Sequence, residues 1–400
     1  MSVIAGSQAV THDRIMAITT RLSALLITSA VTALSGPVRF ERHEIGNFPA
    51  PYQLAVSDVN GDGKPDVIVL SIESNRVDWF ENPTWKQHPV ARTAKNIDLA
   101  PYDVDGDGRP EIALASGFAY TEDKQANQIQ WLSRSATLDQ PWQIHFIATD
   151  PVVHRLRWGD LDGDGRPELI HAAIVDAGFK GLSNTKPVHL WAFRIPPKPA
   201  ADPWKAWTID ESRTLLHGIY VGRLDGKDRR DEILTASAEG IHRYHFEGSG
   251  KSGHWQKALI TAGAPGASEV APGKLDPGKM FLAAIEPYHG NQAVFYTPAA
   301  KSGPWHRHVL ATTLKEGHAL AVADFDGDGV DEIVVGWRAE GGGLVLFHQA
   351  DSSGQQFTRF EIERGVAAEC AVAADMNGDG KLDLVVSDGA NNKVLWYQGK

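Results

Sequence analysis

The sequence predicts an all-β protein, a seven-bladed β-propeller of four-stranded blades closed by its own N-terminal strand. Three observations carry that prediction. An acidic, glycine-punctuated stretch of nine residues recurs along the chain at Asp58–Asp66, Asp103–Glu111, Asp160–Glu168, Asp324–Glu332 and Asp375–Asp383. With two degenerate copies starting at Arg223 and Lys274, the starts are 45, 57, 63, 51, 50 and 51 residues apart, the length of one propeller blade. The last unit stops one strand short at Lys400, and Val38–Gly46 is an orphan strand near the other end.

Each loop sets an acid or amide at its first, third, fifth and ninth positions. These are Asp58, Asn60, Asp62 and Asp66; Asp103, Asp105, Asp107 and Glu111; Asp160, Asp162, Asp164 and Glu168; Asp324, Asp326, Asp328 and Glu332; and Asp375, Asn377, Asp379 and Asp383. Glycines between them bend the backbone so that oxygens wrap one hard cation, and a flexible oxygen shell suits Ca²⁺ better than Mg²⁺. A solvated acidic turn is the plainer reading of any one copy. Repetition with matching glycines points instead to about five structural calcium sites. An EF-hand loop opens the same way but needs a Glu at its twelfth position and a helix on each side. Here the twelfth residues are Val69, Leu114, His171, Val335 and Val386, and an apolar strand follows each loop. In the degenerate copies Arg223, Lys227 and Lys274 stand at ligand positions, so a side-chain cation is expected to replace the ion.

Around each loop the chain reads as four strands. A short inner strand precedes it (LAVSD, LRWGD, LAVAD), and an apolar strand follows (VIVLSI, IALASG, IVVGWR). A third strand alternates aromatics (VDWFEN, VHLWAF, VLWYQG), and a fourth begins with a bulky residue (WKQHPV, WHRHVL). Period-two alternation rich in β-branched and aromatic residues is the strand pattern. The 39 glycines and 22 prolines suit many short strands.

The net charge of −11 argues against a nucleic-acid partner or an anionic membrane face, and the five loops alone hold 18 acids at ligand positions. The apolar run LSALLITSAVTAL follows Met16–Arg21 and gives way to small residues around Ala33–Gly36. That order describes a secretory signal over residues 1–36, with Met16 as an alternative start, and an exported mature chain from residue 37. The run is too short for an integral membrane span. Cys370 is the only cysteine, so no disulfide forms within the chain and bound calcium is expected to take the stabilising role.

Propeller geometry nominates one face for chemistry. Residues six before each loop start should ring the channel mouth, opposite the acidic loops: Tyr52, Ile97, His154, His217, Ser268, His318 and Glu369. Their neighbours include Asp98, Arg155 and Glu269, and the connections after the second strands add Glu286, Tyr288, His289, Trp337 and Arg338. Any one of these histidines is more simply a hydrogen-bonded structural residue. Together they offer bases, acids, a guanidinium and rings able to stack on a sugar. Because the set differs from blade to blade, it fits one asymmetric pocket better than a repeated lectin site. Three imidazoles could also hold a further divalent metal at the mouth. Serine-histidine-aspartate catalysis has no G-x-S-x-G elbow to support it, and a carboxylate pair such as Glu286 and Glu369 would need a spacing that only coordinates give.

The acidic loops resemble FG-GAP/VCBS repeats, a likeness covering Val38–Lys400 that is specific for fold and weak for function. VHRLRWGDL (Val153–Leu161), RTLLHGIYV (Arg213–Val221), EPYHGNQAVFYT (Glu286–Thr297) and GHALAVADFDGDGVDEIVVG (Gly317–Gly336) look like the propeller domain of the aldos-2-ulose dehydratase family, also called 1,5-anhydro-D-fructose dehydratases. That resemblance implies a carbon–oxygen lyase that removes water from a keto-sugar at the propeller channel, with His154 as proton abstractor. Enzymes of that family carry cupin-type domains beyond the propeller, so only the dehydration half is expected to carry over. The residue types fit: a ketone acidifies the adjacent C–H, and a neutral imidazole takes its proton near pH 7. The expected roles are His154 as base, Arg155 as enolate stabiliser, and His217, His289, His318 and Tyr288 as acid or metal ligands. Tyr52, Asp98, Glu269, Glu286, Trp337, Arg338 and Glu369 are expected to bind substrate. The alternative is a non-catalytic propeller that binds a carbohydrate or a protein.

Overall fold

The computed structural model describes residues 38–400, apart from 122, 124, 183–184, 225–227, 249–252, 262, 264, 277–278, 300–302 and 351–355. The expected signal segment, and the degenerate loop tips at 225–227 and 277–278, lie outside the described residues. The described chain forms 28 strands, β1 to β28 in chain order, arranged as seven four-stranded antiparallel sheets with no helix among them. No helix among the described residues is long and apolar enough to cross a membrane.

The innermost strand of each blade comes first in its repeat: β2 (Leu54–Ser57), β6 (Asp98–Tyr102), β10 (Val153–Gly159), β14 (Gly218–Gly222), β18 (Glu269–Asp276), β22 (Gly317–Ala323) and β26 (Ala368–Ala374). Each of these touches the next around the ring, and β26 touches β2. Blades 1 to 6 follow sequence order from inner to outer strand, whereas blade 7 runs β26, β27 (Asp383–Asp388), β28 (Lys393–Gly399) and then β1 (Phe40–Asn47). β1 (Phe40–Asn47) pairs antiparallel with β28 (Lys393–Gly399), from Phe40 opposite Gly399 to Asn47 opposite Lys393. The expected closure by the N-terminal strand is what the fold shows. A bulge between Glu44 and Gly46 lets the closing strand bend, and at Gly46 a Cβ would sit 2.6 Å from the Phe80 ring.

The second strands are buried on both faces, as β3 (Asp66–Ser71) and β27 (Asp383–Asp388) are, because each sheet packs against a neighbour on either side. Apolar clusters fill the wedges between blades. The one joining blade 7 to blade 1 brings Ile45, Phe48, Leu54 and Val67 against Val385 and Val394. In each acidic loop the fourth and sixth residues are glycines with φ near +80°, from +74° at Gly378 to +89° at Gly329, where a side chain would be strained. The first-position Asp draws in the loop: Asp58 accepts the N–H groups of Gly61 (2.8 Å), Asp62 (3.1 Å) and Gly63 (2.8 Å), and the other four loops bind the glycine N–H groups the same way.

Deleting residues 38–47 should leave β28 as an open edge. The expected result is a lower melting midpoint with aggregation seen by light scattering; an unchanged midpoint in a monomer would contradict closure. Phe48→Ala, which empties a fully buried site in the closing cluster, should cost about 3–5 kcal/mol in urea unfolding.

Candidate active site

Inner strands start at the mouth and run toward the acidic loops, so residues just before or at each strand start are brought together around the channel. His154 is the second residue of β10, His217 immediately precedes β14, and His318 is the second residue of β22. Ring centroids lie 4.6 Å apart for His154 and His217 and 5.4 Å apart for His217 and His318. His289 comes from the connection after β19 (Lys279–Glu286), in a left-handed conformation with φ of 43°. It completes the group at 4.7 Å from His217 and 5.1 Å from His318.

Each inner-strand imidazole is oriented by the next blade. Nδ1 of His154 donates to the carbonyl of His217 (3.0 Å), Nδ1 of His217 to that of Ser268 (2.8 Å), and Nδ1 of His318 to that of Glu369 (2.6 Å). A carbonyl only accepts, so Nδ1 carries the proton in all three and Nε2 is left bare. His318 Nε2 accepts from the Tyr52 hydroxyl at 3.2 Å. His217 Nε2 lies 2.9 Å from His289 Nε2, and Arg338 donates to His289 Nδ1 at 3.2 Å, so His289 is the donor of that pair. Among the described residues no protein group bonds the Nε2 of His154. Of the two roles expected for His217 and His318, acid or metal ligand, this arrangement fits the second, since neither has a proton to give from the atom that faces the site.

Burial, then the charge of Arg155, holds His154 and His217 well below the usual histidine range. His318 is held down by burial and by His217 and Arg338. His289 is pushed down to about 2 by burial, His217 and Arg338. Tyr52 is pushed up to about 12 by burial, and burial also raises Tyr288, so both phenols keep their protons. Two guanidiniums supply the positive charge. Arg155 is 1% exposed, pairs with Glu269 at 3.0 Å, and leaves Nη1 with no partner. Arg338 pairs with Glu369 (3.0 Å) and Glu316 (3.1 Å).

A channel cavity of about 410 Å³ continues below, walled by Asp98, Arg155, Glu269, His318, Glu369 and Cys370 among others. Asp98 is committed to structure: it accepts the Leu156 N–H (2.8 Å) and the Arg157 guanidinium (2.9 Å). Two residues expected to bind substrate do not reach the site. Glu286 is fully buried in its own blade, bonded to the Tyr296 hydroxyl and to Arg307 at 2.7 Å, because its side chain points into the sheet rather than the channel. Trp337 packs over Gly343 into the core between blades 5 and 6. Phe179 goes unnamed in sequence reasoning, yet it stacks on Tyr120 at 5.7 Å, and Phe118 lies 6.3 Å from His154. The signal was the unusual length of blade 3, whose connection before β12 (Val188–Arg194) carries Phe179 to the rim.

On the opposite face, first-, third- and fifth-position acids converge at Asp103, Asp105 and Asp107 and at Asp324, Asp326 and Asp328, with ligand oxygens within 4.8 Å of one another. Asp160, Asp162 and Glu168 form a similar group. The ninth-position acids are buried, and one oxygen of each accepts the second residue's N–H: Asp66 from Val59, Glu111 from Val104, Glu168 from Leu161, Glu332 from Phe325 and Asp383 from Met376. Burial and neighbouring aspartates push Glu111 and Glu168 up to about 7 and Glu332 to about 9, the signature of acids crowded where a cation would compensate them. The loops are not equivalent: Arg134 pairs with Asp107 at 2.8 Å and Arg194 with Asp162 at 2.5 Å.

Sequence comparison supplies a family context for this geometry. The aldos-2-ulose dehydratase β-propeller domain matches residues 126–299, and FG-GAP-like repeats match 58–114 and 324–386. Aldos-2-ulose dehydratase of Phanerodontia chrysosporium is 24% identical over 288 residues, 64% of this chain. This chain is a distant relative of aldos-2-ulose dehydratase. It spans about a third of that relative, 31% of its length. The dehydratase domain match includes His154, Arg155, His217, Glu269, Tyr288 and His289, while His318, Arg338 and Glu369 lie beyond it. Virginiamycin B lyase from Staphylococcus aureus shares the fold, with a TM-score of 0.55 and 13% identity over 90% of this chain and 99% of that one.

The buried neutral histidines link stability to pH. Their folded-state affinity for protons is below the unfolded value near 6.5, so the stability they contribute is present above pH 6.5 and is lost as pH falls. Urea unfolding should therefore show lower stability at pH 5 than at pH 7, with a smaller difference in His154→Gln.

Proposed function

We propose that the channel mouth is a lyase site that removes water β to the ketone of a sugar such as 1,5-anhydrofructose. The observation that carries the proposal is His154: buried, neutral, with Nδ1 fixed on a backbone carbonyl and Nε2 open to the site. Distant homology to a dehydratase and the aromatic rim of Phe118, Tyr120 and Phe179 support a keto-sugar as substrate.

His217, His289 and His318 bring three ring nitrogens within 4.8 Å of one another, a set able to hold a divalent metal ion. His217 and His318 have the right tautomer, with Nδ1–H on a carbonyl and an unprotonated Nε2, but an ion would displace the His289 and Tyr52 donors from those nitrogens, and in His289 the Arg338 donation to Nδ1 would have to give way. A bound ion would supply Lewis acidity at the ketone oxygen. The chain's own groups account for the proton. His154 Nε2 takes the hydrogen from the carbon beside the ketone, and the C–H electron pair becomes the enolate. Arg155, with Nη1 unpaired, stabilises that oxygen. The enolate then collapses to a carbon–carbon double bond as the β C–O bond breaks. The proton held by His154, or one from the Tyr288 hydroxyl, converts the leaving hydroxide to water.

Turnover is followed as enone absorbance with 1,5-anhydrofructose or a 3-keto-glycoside. His154→Ala should lose at least about a hundredfold in kcat, and the acid limb of kcat/KM should lie below pH 6.5, because burial depresses the base. Full turnover in the variant removes the assignment; saturable binding without product favours the binding-module reading.

The acidic loops are proposed to hold structural calcium. Chelation should lower the melting midpoint, and calcium, but not potassium, should restore it; at millimolar Ca²⁺ each occupied loop adds roughly 1–3 kcal/mol.

A further inference from the structure

We propose that blade 6 carries a metal site of a second kind, in which Asp326, Glu332 and His348 bind a borderline transition ion of the Zn²⁺ class rather than Ca²⁺. Ile333 of β23 (Glu332–Trp337) pairs with Phe347 of β24 (Gly343–Gln349), so Glu332 and His348 face each other one position further on. By the same register, the residue across from the ninth loop position is Glu81 in blade 1, Ser133 in blade 2, Arg194 in blade 3 and Gln398 in blade 7. Blade 6 alone of the five acidic-loop blades puts an imidazole there.

The geometry converges. His348 Nε2 lies 3.1 Å from Asp326 Oδ2 and 4.0 Å from Glu332 Oε1, and the three ligand atoms fall within 4.8 Å of one another. Glu332 is 1% exposed; Oε2 accepts the Phe325 N–H at 2.9 Å, while Oε1 is buried with no hydrogen-bond partner. A buried carboxylate oxygen without a donor is costly to keep. Protonating His348 does not solve this, because at 4.0 Å the ring reaches Asp326 but not Glu332. The arginine of blade 3 shows the contrast: Arg194 spans both acids, at 2.5 Å from Asp162 and 3.6 Å from Glu168.

A cation between the three groups satisfies the orphan oxygen and both neighbours. One imidazole with two carboxylates matches Zn²⁺, whereas Ca²⁺ takes oxygen ligands. Asp326 also belongs to the all-oxygen group with Asp324 and Asp328, and Glu332 is the ninth-position acid of the same loop, so in blade 6 the two ligand sets share two side chains.

The test is zinc binding by the full chain, stripped with chelator, re-equilibrated in millimolar Ca²⁺ to fill the oxygen-only loops, then exposed to excess Zn²⁺ and desalted. Zinc content by mass spectrometry should fall by one equivalent from the parent to His348→Ala. To separate this ion from any held at the mouth, calorimetric titration uses a His217→Ala/His318→Ala background. There one equivalent of Zn²⁺ should bind and raise the melting midpoint, and His348→Ala or the near-isosteric Glu332→Gln should weaken it by at least about tenfold. Equal zinc content in parent and His348→Ala overturns the proposal. So does a calcium-saturated background that takes up no zinc.

Discussion

Seven twisted sheets can bury their faces against one another only if the ring they form has no gap, and the pairing of β1 with β28 is the contact that removes it. Backbone hydrogen bonds from Phe40–Gly399 to Asn47–Lys393 give blade 7 its fourth strand. The apolar cluster behind them joins Ile45 and Phe48 to Val385 and Val394, residues more than three hundred positions apart in sequence. Removing that contact would expose a strand edge and open a wedge between blades 7 and 1. The wedge between blades 1 and 2, by contrast, is filled by residues much closer along the chain.

The chemistry of the mouth inherits its order from this ring. An imidazole anchored to a carbonyl of its own strand would be indifferent to closure, but His154, His217 and His318 are each anchored to the next blade. The same inter-blade spacing that packs the cores therefore selects the ring tautomer. Arg155 and Arg338 extend the logic, bridging from blades 3 and 6 to Glu269 and Glu369 of blades 5 and 7. Positive charge beside neutral bases keeps them neutral, which is the state a proton abstractor requires.

The opposite face solves another problem. Its loops gather acids around glycine turns, and the strand that follows each loop buries the ninth-position carboxylate, so every blade must balance negative charge locally. Arg134 and Arg194 do so with guanidiniums, and His348 offers an imidazole. A strand of about six residues spans roughly 20 Å, enough to keep these charges from disturbing the mouth through partly screened surroundings.

Blade number, strand order, closure and the acidic loops were legible in the chain because each depends on local pattern repeated at fixed spacing: two-residue alternation, glycines at left-handed positions, a missing last strand. The position of His154, His217 and His318 on one ring followed from the same register. Direction of a side chain beyond its register did not. Glu286 and Trp337 stand at the right end of their strands, yet one turns to Tyr296 and Arg307 and the other to Gly343. Phe179 arrives from a long connection with no repeat to index it. Which nitrogen of each histidine carries the proton, and which acid keeps an unpaired oxygen, was decided only by tertiary structure, because both depend on atoms supplied by a different blade or by the strand alongside, at distances no linear spacing encodes.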